Sequence, residues 1–134
     1  MVKTLKIESA ITNLNVVENT IDAITNEIGI NQDSYGKILI AVIEAVNNAI
    51  IHGNKLNNSK YVKIDFSVQK KDLNVSVTDE GPGFDPGKVP DPTMPENLEL
   101  INGRGVFLMS RLADKIKFNP KGNSVKLTFK NIIP

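Results

Sequence analysis

Three short stretches hold the residues best suited to chemistry: Glu44-Ala45-Val46-Asn47-Asn48, Asp79-Glu80-Gly81-Pro82-Gly83 and Gly103-Arg104-Gly105. In the first, Glu44 and Asn48 stand four apart, so on a helix they lie one above the other and point the same way. A carboxylate flanked by Ile43, Val46 and Ile50, all of which need burial, requires a reason. A hard cation supplies one. The amide oxygen of Asn48 suits Mg²⁺, and Glu44 could take the proton from a nucleophile attacking a phosphate. The plainer alternative is an exposed stripe, since glutamate is a good helix former.

The second stretch falls where an alternating run, Leu73 to Thr78, ends. Glycines at 81 and 83 let the backbone bend and let a ligand come close. Asp79 offers a carboxylate acceptor suited to an exocyclic amine such as that of adenine. An ordinary turn would use the same residue types. A dinucleotide fingerprint is excluded, because glycines at 81, 83 and 87 lead into a proline-rich loop and not into a helix. In the third stretch Gly103 and Gly105 open a helical pattern, leaving backbone N–H groups free for phosphate, with Arg104 adding charge. No lysine follows in the arrangement of a P-loop, and a glycine hinge ending the loop is the plain alternative.

These stretches must be held by the elements around them. Residues 2 to 8 alternate as a half-buried strand. Asn13 is placed to cap a helix carrying Val16, Val17, Ile21, Ile24 and Ile28, with Gly29 as its stop. A second helix starts near Asn31 to Asp33, buries Ile38, Leu39, Val42, Ile43, Val46, Ala49 and Ile50, and ends at Gly53. Residues 61 to 69 and 73 to 79 read as a hairpin across Lys70-Lys71-Asp72. From Gly81 to Asn102 five prolines sit among glycines and acids, a loop of the length that often forms a lid. Arg104 to Ala113 reads as a short helix, followed by strands over 115–118 and 124–129 across a turn at Asn119-Pro120-Lys121-Gly122. Helices in front and strands behind predict an α+β fold, a two-layer sandwich in which a mainly antiparallel sheet is covered on one face by helices.

The totals narrow the field. A chain of 134 residues is one ordinary domain, expected to run 1–134, with its lid at about 84–102. Sixteen Lys and Arg against 15 Asp and Glu leave no general field for nucleic acid. The absence of cysteine and a single histidine exclude disulfides, cysteine–zinc and multi-histidine metal sites. The N-terminus has no uninterrupted apolar stretch and no later segment reads as a membrane span, so a cytoplasmic protein is expected, with no membrane partner.

The order of the parts is more specific than any one of them: a base-and-ligand helix, a carboxylate turn after a strand, a long lid, then a phosphate turn opening a helix. The whole chain resembles the ATP-binding domain shared by DNA gyrase, heat-shock chaperones, histidine kinases and mismatch-repair proteins, the Bergerat or GHKL fold. Glu44 and Asn48 match its N box, Asp79, Gly81 and Gly83 its first glycine box, and Gly103 and Gly105 its second. The run from Glu44 to Gly53 and Gly103-Arg104-Gly105-Val106-Phe107-Leu108-Met109 look most like bacterial anti-sigma factor serine/threonine kinases.

That resemblance implies ATP and Mg²⁺ as cofactors. Asn48 would coordinate the Mg²⁺, Asp79 bond the adenine amino group, and Glu44 act as general base for the acceptor hydroxyl. Gly81 and Gly83 would shape the adenine side, Gly103, Arg104 and Gly105 hold the phosphates, and Thr128 support Asp79, directly or through water. The implied partners are an anti-sigma factor antagonist of the STAS type and a sigma factor, and relatives of this kind commonly form homodimers. The family's last glycine-rich box is reduced here to Gly122-Asn123-Ser124-Val125.

Other conspicuous residues receive plainer readings. His52 is favoured in a last helical turn by the dipole and the free carbonyls, so no catalytic role is assigned to it. A sensor histidine kinase needs an upstream helical segment carrying its own histidine, and residues 1 to 43 contain none. Phe107 and Met109 read as core of the short helix, and Arg111 and Lys115 as surface.

Overall fold

The computed structural model describes residues 1–82 and 109–134. Five strands, β1 (Val2–Glu8), β2 (Tyr61–Gln69), β3 (Asp72–Thr78), β4 (Lys115–Phe118) and β5 (Ser124–Phe129), form one sheet in the order β1-β2-β3-β5-β4. Every pairing is antiparallel. Period-two alternation decides which face is buried: Val62, Ile64 and Phe66, then Leu73, Val75 and Val77, then Val125, Leu127 and Phe129 all point to one side. Helices α1 (Leu14–Ile28) and α2 (Gln32–Asn48) cover that side, α2 packing on α1, β3 and β5. The expected two-layer α+β sandwich is therefore present, with every strand pairing among the described residues antiparallel.

Local chemistry sets the ends of the elements, and twice it departs from expectation. Asn13 does not cap α1. It already has helical angles, φ −75° and ψ −6°, and its side chain donates to Glu8 O at 2.9 Å, because a 3₁₀ turn (Ile11–Asn13) leads into the helix. Val16 also turns outward, at 40% exposed, so the buried stripe is Val17, Thr20, Ile21 and Ile24. Gly29 ends α1 as expected at φ +74°, where a Cβ would be strained. Asn31 caps α2, its side chain accepting from Ser34 N at 2.8 Å.

The hairpin loop is one residue shorter than predicted. Gln69 pairs with Asp72, so only Lys70 and Lys71 connect β2 to β3, and Lys70 adopts φ +56° to close the turn. After β5 the chain crosses back to the start of α2. Ile132 is fully buried, its N–H donating to Lys71 O at 2.9 Å and its carbonyl accepting from Asn31 N at 2.8 Å. By length and composition alone the helical run Gln32–Gly53 is long and apolar enough to cross a membrane, a test that a buried core helix also passes. In this fold it is the central core helix, with Ile38, Ala41, Val42, Ala45 and Val46 buried against the other elements. Each large aliphatic side chain sequestered in this way contributes about 1.5–3 kcal/mol.

Candidate nucleotide site

The site is built where α2 runs out over the ends of β3 and β5. After Asn48 the helix widens into a π turn, Ala49–Gly53, closed by Asn54 N donating to Ala49 O at 2.8 Å. Such widened turns are rare and gather at functional sites, because the extra residue changes the direction of the side chains that follow. The turn brings Gly53 against the carboxylate of Asp79. A Cβ at Gly53 would lie 2.3 Å from Asp79 Cγ and Oδ2, and a Cβ at Gly81 would lie 2.1 Å from Gly53 O. Both glycines are required by this close approach, whereas the sequence reading treated Gly53 only as a helix stop.

One cavity opens between these parts. Ala45, Asn48, Ala49, His52 and Gly53 line it from the helix, Val77 and Asp79 from β3, and Gly122 to Val125 from the β5 side, with Met109 and Phe118 adding apolar wall. Asp79 is gripped on both flanks: its N–H donates to Asn123 O at 2.9 Å and its carbonyl accepts from Asn123 Nδ2 at 2.9 Å. Its carboxylate accepts from Gly81 N at 2.8 Å. Burial raises the Asp79 carboxyl above its usual range, opposed by the Gly81 N–H and by the charges of Lys121 and Lys60. A half-buried carboxylate that faces a cavity lined by alanine, valine and methionine is a strong acceptor for a ligand N–H donor.

Asn48 supplies the second polar group. Its Nδ2 is buried and has no hydrogen-bond partner among the described residues. An unpaired buried amide costs about 1–3 kcal/mol, and this one belongs to a residue that lines the cavity. Rotation of the amide about its terminal bond exchanges nitrogen for oxygen, so the same position fits either a phosphate oxygen or a hard cation.

The predicted site residues do not all converge. Asn48 and Asp79 face the one cavity, and Gly81 sits buried directly behind Asp79. Glu44 is half-buried one turn before Asn48 on α2 and does not line the cavity. Gly83, Gly103, Arg104, Gly105 and the lid at 84–102 lie outside the described residues. Thr128 is a correction: its hydroxyl donates to Asn74 Oδ1 at 2.7 Å, not to Asp79. The register pairs Asn74 with Thr128 and Thr78 with Ser124, which puts Thr128 roughly 13 Å along the strand from Ser124. The hydroxyls beside Asp79 are Thr78 and Ser124, 2.8 Å apart. The reduced box Gly122-Asn123-Ser124-Val125 thus carries more of the site than its composition suggested, and Asn123 was the residue that sequence reasoning missed. His52 also lines the cavity, although it is exposed.

A largely apolar cavity with a half-buried carboxylate, a helix amide unpaired among the described residues and glycines allowing close backbone approach fits a nucleotide-binding domain of the kind that the N box and first glycine box imply. The chain belongs to the histidine kinase-like ATPase domain family, whose profile matches residues 7–129. Among relatives, it is 30% identical over 110 residues to the serine-protein kinase RsbW of Oceanobacillus iheyensis, covering 78% of this chain and 70% of that one. It is 30% identical over 122 residues to the RsbW of Bacillus subtilis, covering 84% and 75%. A crystal structure of RsbU and RsbW domains from Mycobacterium tuberculosis superposes with a TM-score of 0.70 at 17% identity, covering all of this chain and 33% of that larger one. The last likeness establishes the shared fold.

Proposed function

We propose that this protein binds ATP with Mg²⁺ and transfers the γ-phosphate to a serine or threonine of an anti-sigma factor antagonist of the STAS type, and that it sequesters a sigma factor. The observation that carries the nucleotide reading is a cavity lined by both Asp79 and Asn48. The kinase reading is supported by the relatives named serine-protein kinase.

In this reading Asp79 accepts from the adenine amino group, and Gly53 and Gly81 keep the carboxylate in place. Asn48 would hold the Mg²⁺, which supplies charge neutralisation at the phosphates. Glu44, one turn back along α2, takes the proton from the acceptor hydroxyl as the phosphate bond forms. Gly83 completes the adenine side, while Gly103, Arg104 and Gly105 hold the phosphates. Thr128 keeps no role at Asp79.

The test is incubation with γ-labelled ATP, Mg²⁺ and an antagonist of the STAS fold. Label is expected on the antagonist's serine or threonine. The Glu44→Gln variant should bind ATP like the parent yet transfer label about 10²- to 10⁴-fold more slowly. Free phosphate without labelled protein would make the chain an ATPase. Bound nucleotide with neither product would make it an ATP-dependent switch, and no binding would overturn the nucleotide reading.

A further inference from the structure

Asn54 immediately follows the π turn and is 1% exposed. All its side-chain polar atoms are engaged: Nδ2 donates to Ser9 Oγ at 2.8 Å and to Tyr61 O at 3.0 Å, and Oδ1 accepts from Glu80 N at 2.8 Å. The orientation of the amide follows from chemistry. A carbonyl oxygen at Tyr61 can only accept and a backbone N–H at Glu80 can only donate, so neither end can be exchanged.

We infer that Asn54 is a positioning residue for base recognition, acting through the turn that carries Asp79. Three successive N–H groups define that turn. Asp79 N is held by Asn123 O, Glu80 N by Asn54 Oδ1, and Gly81 N by the Asp79 carboxylate itself. Asn54 is therefore the grip on the side of the turn opposite Asn123. It is anchored in its place by other elements: Ser9, fully buried at the end of β1, donates to Lys60 O at 2.8 Å, and the Glu80 side chain in turn accepts from Tyr61 N. The backbone then reverses through two non-glycine residues at left-handed φ, Lys55 at +52° and Leu56 at +59°. Residues of these types stay there only when surrounding bonds over-determine them, and Leu56 N donating to Ile50 O at 2.8 Å is one such bond. A saturated, buried amide on the turn fixes where the Asp79 carboxylate points, and a hydrogen bond to the base needs the right direction as well as the right distance.

The inference rests on the nucleotide reading above, and its test separates the two. Inosine triphosphate differs from ATP in presenting an oxygen where adenine presents its amino group, so a correctly aimed carboxylate favours ATP. In the full chain, Asn54→Ala is expected to weaken ATP about tenfold and inosine triphosphate less than about twofold, compressing the preference. Thermal melts run in parallel show how much of the variant is folded. If Asn54→Ala does not fold, Ser9→Ala removes one anchor of the amide without touching the turn, and should compress the ATP preference about two- to threefold. Equal losses for both nucleotides, or an unchanged preference in the folded Ser9→Ala variant, would overturn the role of Asn54. Wild-type protein that binds ATP and inosine triphosphate alike would overturn the reading of Asp79, and the inference with it.

Discussion

The two ends of α2 are made of similar residues and obey opposite rules. At the N-terminal end the cap residue is fully engaged: Asn31 Oδ1 accepts from Ser34 N, Asn31 Nδ2 donates to Asn131 O at 3.2 Å, and Asn31 N donates to Ile132 O. Asp33 in the first turn suits the helix dipole. At the C-terminal end the helix widens, Asn48 Nδ2 is left without a partner among the described residues, and Gly53 presses on a carboxylate raised by burial. One end holds the fold together, and the other leaves hydrogen-bonding capacity unused among the described residues.

Four substitutions probe this contrast, from the largest expected effect to the smallest. Gly81→Ala puts a Cβ 2.1 Å from the backbone oxygen of Gly53, which cannot move without displacing the π turn. It should lower ATP affinity more than about 100-fold and cost about 1–3 kcal/mol of stability, read by nucleotide titration and urea unfolding. An affinity close to that of the parent would show that the two glycines need not touch.

Asp79→Asn should weaken ATP about 10- to 100-fold, since it loses a charge-assisted acceptor, yet it should not destabilise the protein at neutral pH. The sign follows from burial. The raised Asp79 carboxyl keeps its proton in the folded chain up to a higher pH than in the unfolded chain. As pH rises from the ordinary aspartate range through the raised value, the folded state binds more protons than the unfolded one, so stability declines. Urea unfolding across that window should show this decline in the parent and a flatter profile in the asparagine variant. A variant that melts well below the parent at pH 7 would contradict it.

At the other end of the helix, Asn31→Ala should cost about 1 kcal/mol of stability through the lost cap while ATP affinity stays within about twofold. A marked loss of binding would mean that the two ends are coupled. Thr128→Val should do least, changing affinity by less than about twofold, because it breaks only the hydroxyl contact to Asn74 on the open face of the sheet. A large loss there would reinstate Thr128 as a support of Asp79.

The parts of the fold legible in the sequence were those governed by local periodicity. β2, β3 and β5 alternate strictly and bury one face, and α2 carries an apolar stripe between an asparagine cap and a glycine, so their existence and order could be read directly. The misreadings came where neighbouring segments compete. Asn13 had the composition of a cap, but a 3₁₀ turn placed one residue group earlier took that position. Thr128 had the right residue type on the right strand, but strand register placed its hydroxyl four residues from Ser124, the partner of Thr78.

By itself, then, the amino-acid sequence determined the antiparallel α+β architecture and the identities of Asn48, Asp79 and Gly81, because spacing along a helix or strand and the chemistry of a turn are properties of contiguous residues. Only the tertiary structure decided that Gly53 and Gly81 meet across the Asp79 carboxylate, that Asn123 and Asn54 grip the same turn from two sides, and that Thr128 stands elsewhere. Those contacts join residues 26 to 54 positions apart, and they are set by how α2 ends over the sheet and by which residues the ladder pairs. No local pattern encodes that packing.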